Sequence, residues 1–576
     1  MKTRLPRTLL VALLAGMAVT SSYAEVAAPN MTGAFIVTSE NTFGSDANEA
    51  LSTEEGDKAL LEQALIAGSA NNSPKPVVKV GQGSYEIDQD IKVNNPLVVR
   101  EGTLKVTGDI VSMQKSPLTS YVPYLSVGGK NAVLELDGAT VSHHIFGENK
   151  TDNYSVAMSL GTADGKGTIN LKNGSILHTD HFIFAGYNSG MTNGTGAKGT
   201  GYSKATLDAE GNRYTGGDYD GPTVINLEGG STLSAGTCLQ FADVTVNIND
   251  SELKDNTRGL SPSWSYFGTA SASKTTINVT NGGTLNVQQH LLTGYGSQSR
   301  TVISASGEGS SIKVAGATQL GYKGVASTTE MTLSAGAKAE LGKVTAYNGS
   351  VISVGSGSSI VAHSNYAGEG QNPLLVINEG AELNNSGVIA LDIELNGGTF
   401  TMENGAVAGG LTATSGTVYL NGTVTFTGSV SLGTVSSTLS LFGSATEALT
   451  VYIQQGATVM LGTDGVEVDG QTFTVGEGTQ FIVELAEGEI YEEGSQLFTL
   501  AAANETLLAA ASQEIAAKTT VTWLNEEGTE QQAGYGAGES APLYSGSITT
   551  VTVPEPATAT LSLLALAGLC ARRRRK

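Results

Sequence analysis

Residues 276–287 read Thr-Ile-Asn-Val-Thr-Asn-Gly-Gly-Thr-Leu-Asn-Val. Ile277 and Val279 alternate with Thr276 and Asn278; beyond the turn, Leu285 and Val287 alternate with Thr284 and Asn286. Period-two alternation is the signature of a strand with one buried face. Gly282-Gly283 between the arms supplies the positive φ that a tight turn demands. Neither arm is long enough to bury its apolar face alone, so the unit needs copies of itself.

The copies are present. Thr168-Ile169-Asn170-Leu171 precedes Asn173-Gly174-Ser175-Ile176-Leu177, and Val224-Ile225-Asn226-Leu227 precedes Gly229-Gly230-Ser231-Thr232-Leu233. Val246-Asn247-Ile248 precedes Asp250-Ser251-Glu252-Leu253, and Gly282, Gly309 and Gly336 recur at intervals of 27 residues. A second motif rides on the first: after the Gly turn comes an apolar group and then Gly-Tyr, as in Phe182 to Tyr187, His290 to Tyr295 and Gln319 to Tyr322. Each coil therefore holds at least two strands and two turns, and repeat lengths of this size belong to solenoids. The expected fold is all-β, a parallel β-solenoid of the right-handed β-helix type with roughly sixteen to twenty coils. Inward Ile, Val and Leu form aliphatic columns, while Asn170, Asn226, Asn247 and Asn278 occupy equivalent outward places and suit a side-chain ladder.

Composition agrees. The chain has 576 residues, beyond the ~250–300 at which one compact core stops growing. Glycine contributes 74 residues, about twice its usual share, and charged residues only 15%. The formal net charge is −23 and no basic face is evident, which argues against a nucleic-acid partner. Cys238 and Cys570 make neither a disulfide framework nor a Cys-based zinc site.

The ends carry signals. Lys2, Arg4 and Arg7 precede an apolar stretch, Leu9 to Val19, and Ser22-Tyr23-Ala24 offers the small residues of a signal-peptidase site, with cleavage between Ala24 and Glu25. At the other end, Pro554-Glu555-Pro556 is followed by apolar residues Ala557 to Ala571 and by Arg572, Arg573, Arg574, Arg575 and Lys576. Fifteen helical residues span ~22 Å, short of a ~30 Å hydrocarbon core, and the basic end stays cytoplasmic. This C-terminal arrangement resembles the PEP-CTERM sorting domain over about the last two dozen residues. The resemblance implies an exported protein of a Gram-negative, exopolysaccharide-producing bacterium, tethered by a C-terminal apolar sorting helix until an exosortase-like enzyme processes it near Pro554-Glu555-Pro556. Removing both signals takes eight of the 31 basic groups and none of the 54 acidic ones, so the net charge falls from −23 to −31. A permanent single-pass tail anchor is the competing reading.

The repeat stretch resembles the β-helical passenger regions of autotransporter-type surface proteins, a likeness of style that bears on fold more than on activity. The expected organisation is a signal peptide (1–24), an N-terminal segment with a capping helix near Thr53 to Ala67 (25–76), a β-helix repeat region (77–500), a C-terminal cap and linker (501–552) and a sorting tail (553–576). The cap is expected to hold a helix over Ala501 to Lys518 and strands near 519–524 and 545–553. Asn188–Tyr214 reads as a loop insertion between coils.

For chemistry, the best cluster is His143-His144 with His178, Asp180 and His181, with His144 and His181 expected on neighbouring coils. Half-buried polar residues at turns account for them equally well, and no spacing enforces tetrahedral ligation, so neither a metal site, a cofactor nor a catalytic residue is expected. Asp88, Asp90, Asp208, Asp218 and Asp220 read as acidic loops. Cys238 beside Leu239 and Phe241 reads as a buried structural thiol. Trp264 and Tyr266 read as residues of an exposed turn, Ser261 to Gly268, suited either to stacking on sugars or to local packing. The expected function is a non-enzymatic surface or matrix protein, structural or adhesin-like. Its partners would be the Sec export machinery, an exosortase-like enzyme, a polysaccharide or glycan and, before processing, the membrane. The alternative is a secreted polysaccharide lyase or glycoside hydrolase on the same scaffold, which would show convergent carboxylates or histidines in one groove.

Overall fold

The computed structural model describes residues 34–38 and 47–51 and then, with breaks at connecting segments, 77–534. It is built almost wholly of parallel strands. The signal peptide, residues 53–67, 188–214 and 545–553, and the sorting tail lie outside the described residues.

Two compact units divide the chain between Val388 and Ile389, inside the stretch read as one repeat region. In the first unit each coil has three strands, one more than the minimum that the sequence demands. The deciding stretch supplies a complete coil. Lys274–Thr280 lies on the first face, Thr284–Val287 on the second and His290–Thr293 on the third. The third strand is the apolar group of the Gly-Tyr motif. Among the described residues, the second face of this unit holds ten strands, from Ile91–Val93 to Ser359–Ala362.

The first and second faces are joined by a turn that Asn281 and Gly282 build with φ of 52° and 84°, closed by the Gly283 N–H donating to the Thr280 carbonyl at 2.9 Å. Two consecutive positive φ values define a type I′ geometry, which explains Asn-Gly at this corner.

Registers are in step from coil to coil. Ile169, Ile225, Val246, Ile277 and Ile303 form one inward column and Leu171, Leu227, Ile248, Val279 and Ala305 the next. All ten are fully buried. Parallel stacking pairs every strand with its copy ~4.8 Å away, so side chains at equivalent positions meet along the stack. Phe241 and Phe267, on adjacent third-face strands, stack inside with ring centroids 5.1 Å apart and planes at 9°.

The first parallel strand is covered by antiparallel partners. Ala34–Thr38 pairs with Ala47–Leu51 and with Val77–Val80, which in turn pairs in parallel with Leu97–Val99. This antiparallel pair covers the outer edge of Val77–Val80, an edge that would otherwise template association.

The second unit follows the same plan with longer strands. Asp392–Glu403 runs parallel to Leu411–Asn421, and its stack continues through Leu449–Gln454, Thr479–Glu484 and Thr519–Leu524. It ends in the antiparallel strand Glu530–Gly534. The expected C-terminal helix is present as Glu505–Lys518. It begins later than its alanine content suggests because Thr499–Ala502 is held in the ladder beside Thr458–Leu461. Leu507, Ala511 and Ile515 form its buried face at four-residue spacing. The Lys518 ammonium donates to the carbonyls of Val475 and Gly476 at 3.0 and 2.9 Å.

Candidate functional site

Three consecutive second-face strands of the first unit bring the histidine cluster together: Thr140–Phe146, Ile176–Thr179 and Thr232–Ala235. Register pairs Ser142 with His178 and His143 with Thr179, and His178 in turn with Ser234. Alternation then separates the two adjacent histidines. His143 is buried, with Nδ1 3.2 Å from Thr179 Oγ1 and its ring stacked on Tyr124 at 4.3 Å. His144, next along the strand, is half-exposed.

Buried beneath the two half-exposed histidines, Asp180 is the hub. Its Oδ1 lies 3.1 Å from His178 Nε2 and 3.6 Å from His144 Nδ1. His178 Nδ1 lies 2.7 Å from Ser234 Oγ, and the rings of His144 and His178 are 5.5 Å apart. The carboxylate itself is only 4% exposed. Its backbone is fixed too, since the Asp180 N–H donates to the His143 carbonyl at 3.0 Å. His144 therefore meets Asp180 and His178, and His181, next to Asp180 just past the neighbouring strand Ile176–Thr179, lies on the adjoining coil as expected. His181 is buried.

Burial pushes the His143 imidazole down to about 3, with the neighbouring His181 adding to the effect and Asp180 opposing it. His143 is thus neutral at any physiological pH and belongs to the interior. The outer trio holds one carboxylate, not the pair that a glycosidase would use. One ligating atom from each of His144, His178 and Asp180 lies within 4.8 Å of the others, so these are the residues that can converge on a cation.

Other candidates resolve differently. Trp264–Phe267 is a third-face strand, not a turn, because Ser265 and Phe267 point inward in register with Leu291 and Thr293. Trp264 stacks on His290 at 4.7 Å. Tyr266, Tyr295 and Tyr322 continue an outer aromatic row, with centroids 6.0 and 4.8 Å apart. Tyr322 also borders an open cavity of about 370 Å³ with Lys323, Tyr347, Asn348, Asn378 and Glu379. The Gly-Tyr motif puts Tyr295 and Tyr322 at equivalent places, whereas Tyr266, whose register partner is Leu292, joins them only through its ring contact with Tyr295. Cys238 is fully buried, as expected. The Asp90 carboxylate accepts from the Asp109 N–H at 2.9 Å, a structural role between coils. Asp208, Asp218 and Asp220 lie outside the described residues.

The processing residues Pro554, Glu555 and Pro556, the basic run Arg572 to Lys576, and Ala24-Glu25 also lie outside the described residues. Among the described residues, no helix is long and apolar enough to cross a membrane. The family comparison speaks for the tail: residues 552–576 match the PEP-CTERM protein-sorting motif. That motif indicates an exported protein of Gram-negative bacteria and implies processing by an exosortase-type enzyme. No curated protein matches the chain.

Proposed function

We propose that this chain is a non-enzymatic surface or matrix protein, an acidic β-solenoid that serves as scaffold or adhesin after its C-terminal signal has delivered it to the outer envelope. The observation that carries the reading is the sorting motif joined to in-step stacks of strands. In such a stack the interior is spent on aliphatic columns, so recognition falls to the outer faces. The row Tyr266, Tyr295 and Tyr322 supports a polysaccharide or glycan partner, since aromatic rings offer apolar surface with a polar handle. Export through the Sec machinery follows from the N-terminal signal, and the acidity of the processed chain keeps it soluble and repels it from anionic surfaces.

The test is intact-mass analysis of the native protein from envelope and medium fractions. The expected species lacks residues 1–24 and the tail beyond Pro556, and co-fractionates with exopolysaccharide. A mass that retains Arg572 to Lys576 in the final product replaces this reading with a tail-anchored protein of the inner membrane.

A further inference from the structure

We propose that His144, His178 and Asp180 form a binding site for a zinc-class divalent cation on the second face of the solenoid. The argument begins with spacing. Zinc bound by imidazole nitrogen and carboxylate oxygen at ~2.0–2.1 Å in a tetrahedron requires ligand atoms about 3.3 Å apart. Asp180 Oδ1 stands 3.1 Å from His178 Nε2 and 3.6 Å from His144 Nδ1. The three ligating atoms all fall within 4.8 Å of one another, so contraction by a side-chain rotation closes the remaining edge.

The support around the trio is that of a metal site. A ligating histidine is oriented by the hydrogen bond at its other ring nitrogen. His178 Nδ1 has such a partner in Ser234 Oγ at 2.7 Å. A hydroxyl both donates and accepts. It can therefore give its proton to Nδ1 while Nε2–H binds the Asp180 carboxylate, and accept one from Nδ1–H once Nε2 turns its lone pair to a cation. Asp180 is held in place by its buried setting and by its N–H bond to the His143 carbonyl. His143, pinned inward by Tyr124 and Thr179, forces His144 to face out. Each ligand sits on a rigid, in-register strand or at its end, which fixes separations better than a loop would. The side chain of His144 is 41% exposed, so a fourth position lies open to water or to an anionic group of a partner. Nitrogen-rich donors favour zinc and its transition-metal neighbours over calcium or magnesium.

The experiment uses the full chain without a polyhistidine tag, in a Cys570→Ser background, purified in detergent and stripped with EDTA. Isothermal titration with zinc chloride is expected to show one site per chain with Kd below about 10 µM. Cobalt(II) at the same site is expected to give the intense visible absorption of four-coordinate cobalt. His144→Ala, which removes a partly exposed side chain, should weaken zinc binding at least 100-fold. Ser234→Ala should weaken it by about 10- to 100-fold by releasing His178. His290→Ala and His363→Ala should leave it unchanged. The metal-free thermal transition of each variant reports whether it folds, and His178→Ala serves as a second ligand variant. Absence of saturable binding overturns the site, as does full zinc affinity in a folded His144→Ala chain.

Discussion

Asn226 donates from Nδ2 to the Oδ1 of Asn170 at 2.8 Å although 56 positions separate them in the chain. Asn247 repeats the contact onto Asn226 at 2.8 Å, and Asn278 onto Asn247 at 2.9 Å. The row ends where Ser304 Oγ donates to Asn278 Oδ1 at 3.0 Å. Asn226, Asn247 and Asn278 each give one bond down the stack and accept one from above. The ladder therefore has a direction, and it rewards only the register in which asparagine meets asparagine.

That direction yields the first prediction. Asn247→Ala deletes two part-buried hydrogen bonds and should cost about 1–2 kcal/mol, since a net side-chain bond contributes ~0.5–1.5 kcal/mol. Asn247→Asp keeps the shape and still accepts from Asn278, but it sets two oxygens against each other at Asn226. It should cost at least as much. Urea denaturation of both variants measures this, and an aspartate variant as stable as the parent would show that the ladder is surface decoration.

A buried carboxyl gives a pH dependence. The Asp255 carboxylate accepts from Ser265 Oγ at 2.6 Å and from the Gln288 N–H at 2.5 Å. Burial nevertheless pushes it from the ordinary 3.8 up to about 6, against the pull of those bonds. The folded chain thus holds this proton more tightly than the unfolded chain. The stabilisation is fully present below about pH 4 and is lost as pH rises through about 6. Asp255→Asn cannot ionise, keeps an oxygen for the Gln288 N–H and should escape that loss. Its stability relative to the parent should climb by up to about 3 kcal/mol between about pH 4 and pH 7.5. Calorimetric scans across that range decide it; parallel pH profiles would remove Asp255 as the responsible group.

Much of this was legible because a solenoid repeats its local rules. Alternation around Ile277 and Leu285 and the glycine turn at Gly282-Gly283 disclosed the coil, although the positive φ falls on Asn281 and Gly282 and not on Gly283, and a single short polar residue at a fixed offset before each turn disclosed the asparagine row. What escaped depends on register across connections of irregular length. Ser142 meets His178 after 36 residues, a distance no repeat period announces, so which members of the cluster arrive beside His144 had to come from register. Ser261 to Gly268 read as a turn where Trp264–Phe267 forms a strand, because the row of partners from Leu239–Phe241 to His290–Thr293 outweighs local turn chemistry. Ala47–Leu51, with Asn48 and Glu49, has no strand signature of its own and is held by pairing with Ala34–Thr38.

The thiol of Cys238 gives a chemical test of packing. It is 1% exposed, and burial raises its pKa well above the ordinary value, so little reactive thiolate forms. In a Cys570→Ser chain, a thiol-directed maleimide should fail to label at pH 8 under native conditions. It should label to completion in guanidinium. Rapid native labelling would mean that the coil around Leu239–Phe241 opens readily.

The stacked pair Phe241 and Phe267 tests how far the columns behave as a packed interior. Both rings are fully buried on successive third-face strands, with little room for neighbours to move inward because each strand is pinned by ladder bonds on both sides. Phe267→Ala should leave an unfilled cavity and cost about 3–5 kcal/mol, whereas Phe267→Leu, which retains most of the volume, should cost much less. The damage should be local, because a coil touches only its neighbours. Hydrogen exchange in the alanine variant should therefore accelerate in Leu239–Phe241 and His290–Thr293 while Ser350–Val354 keeps its protection. Uniform loss of protection throughout the first unit would show instead that its coils unfold as one cooperative body.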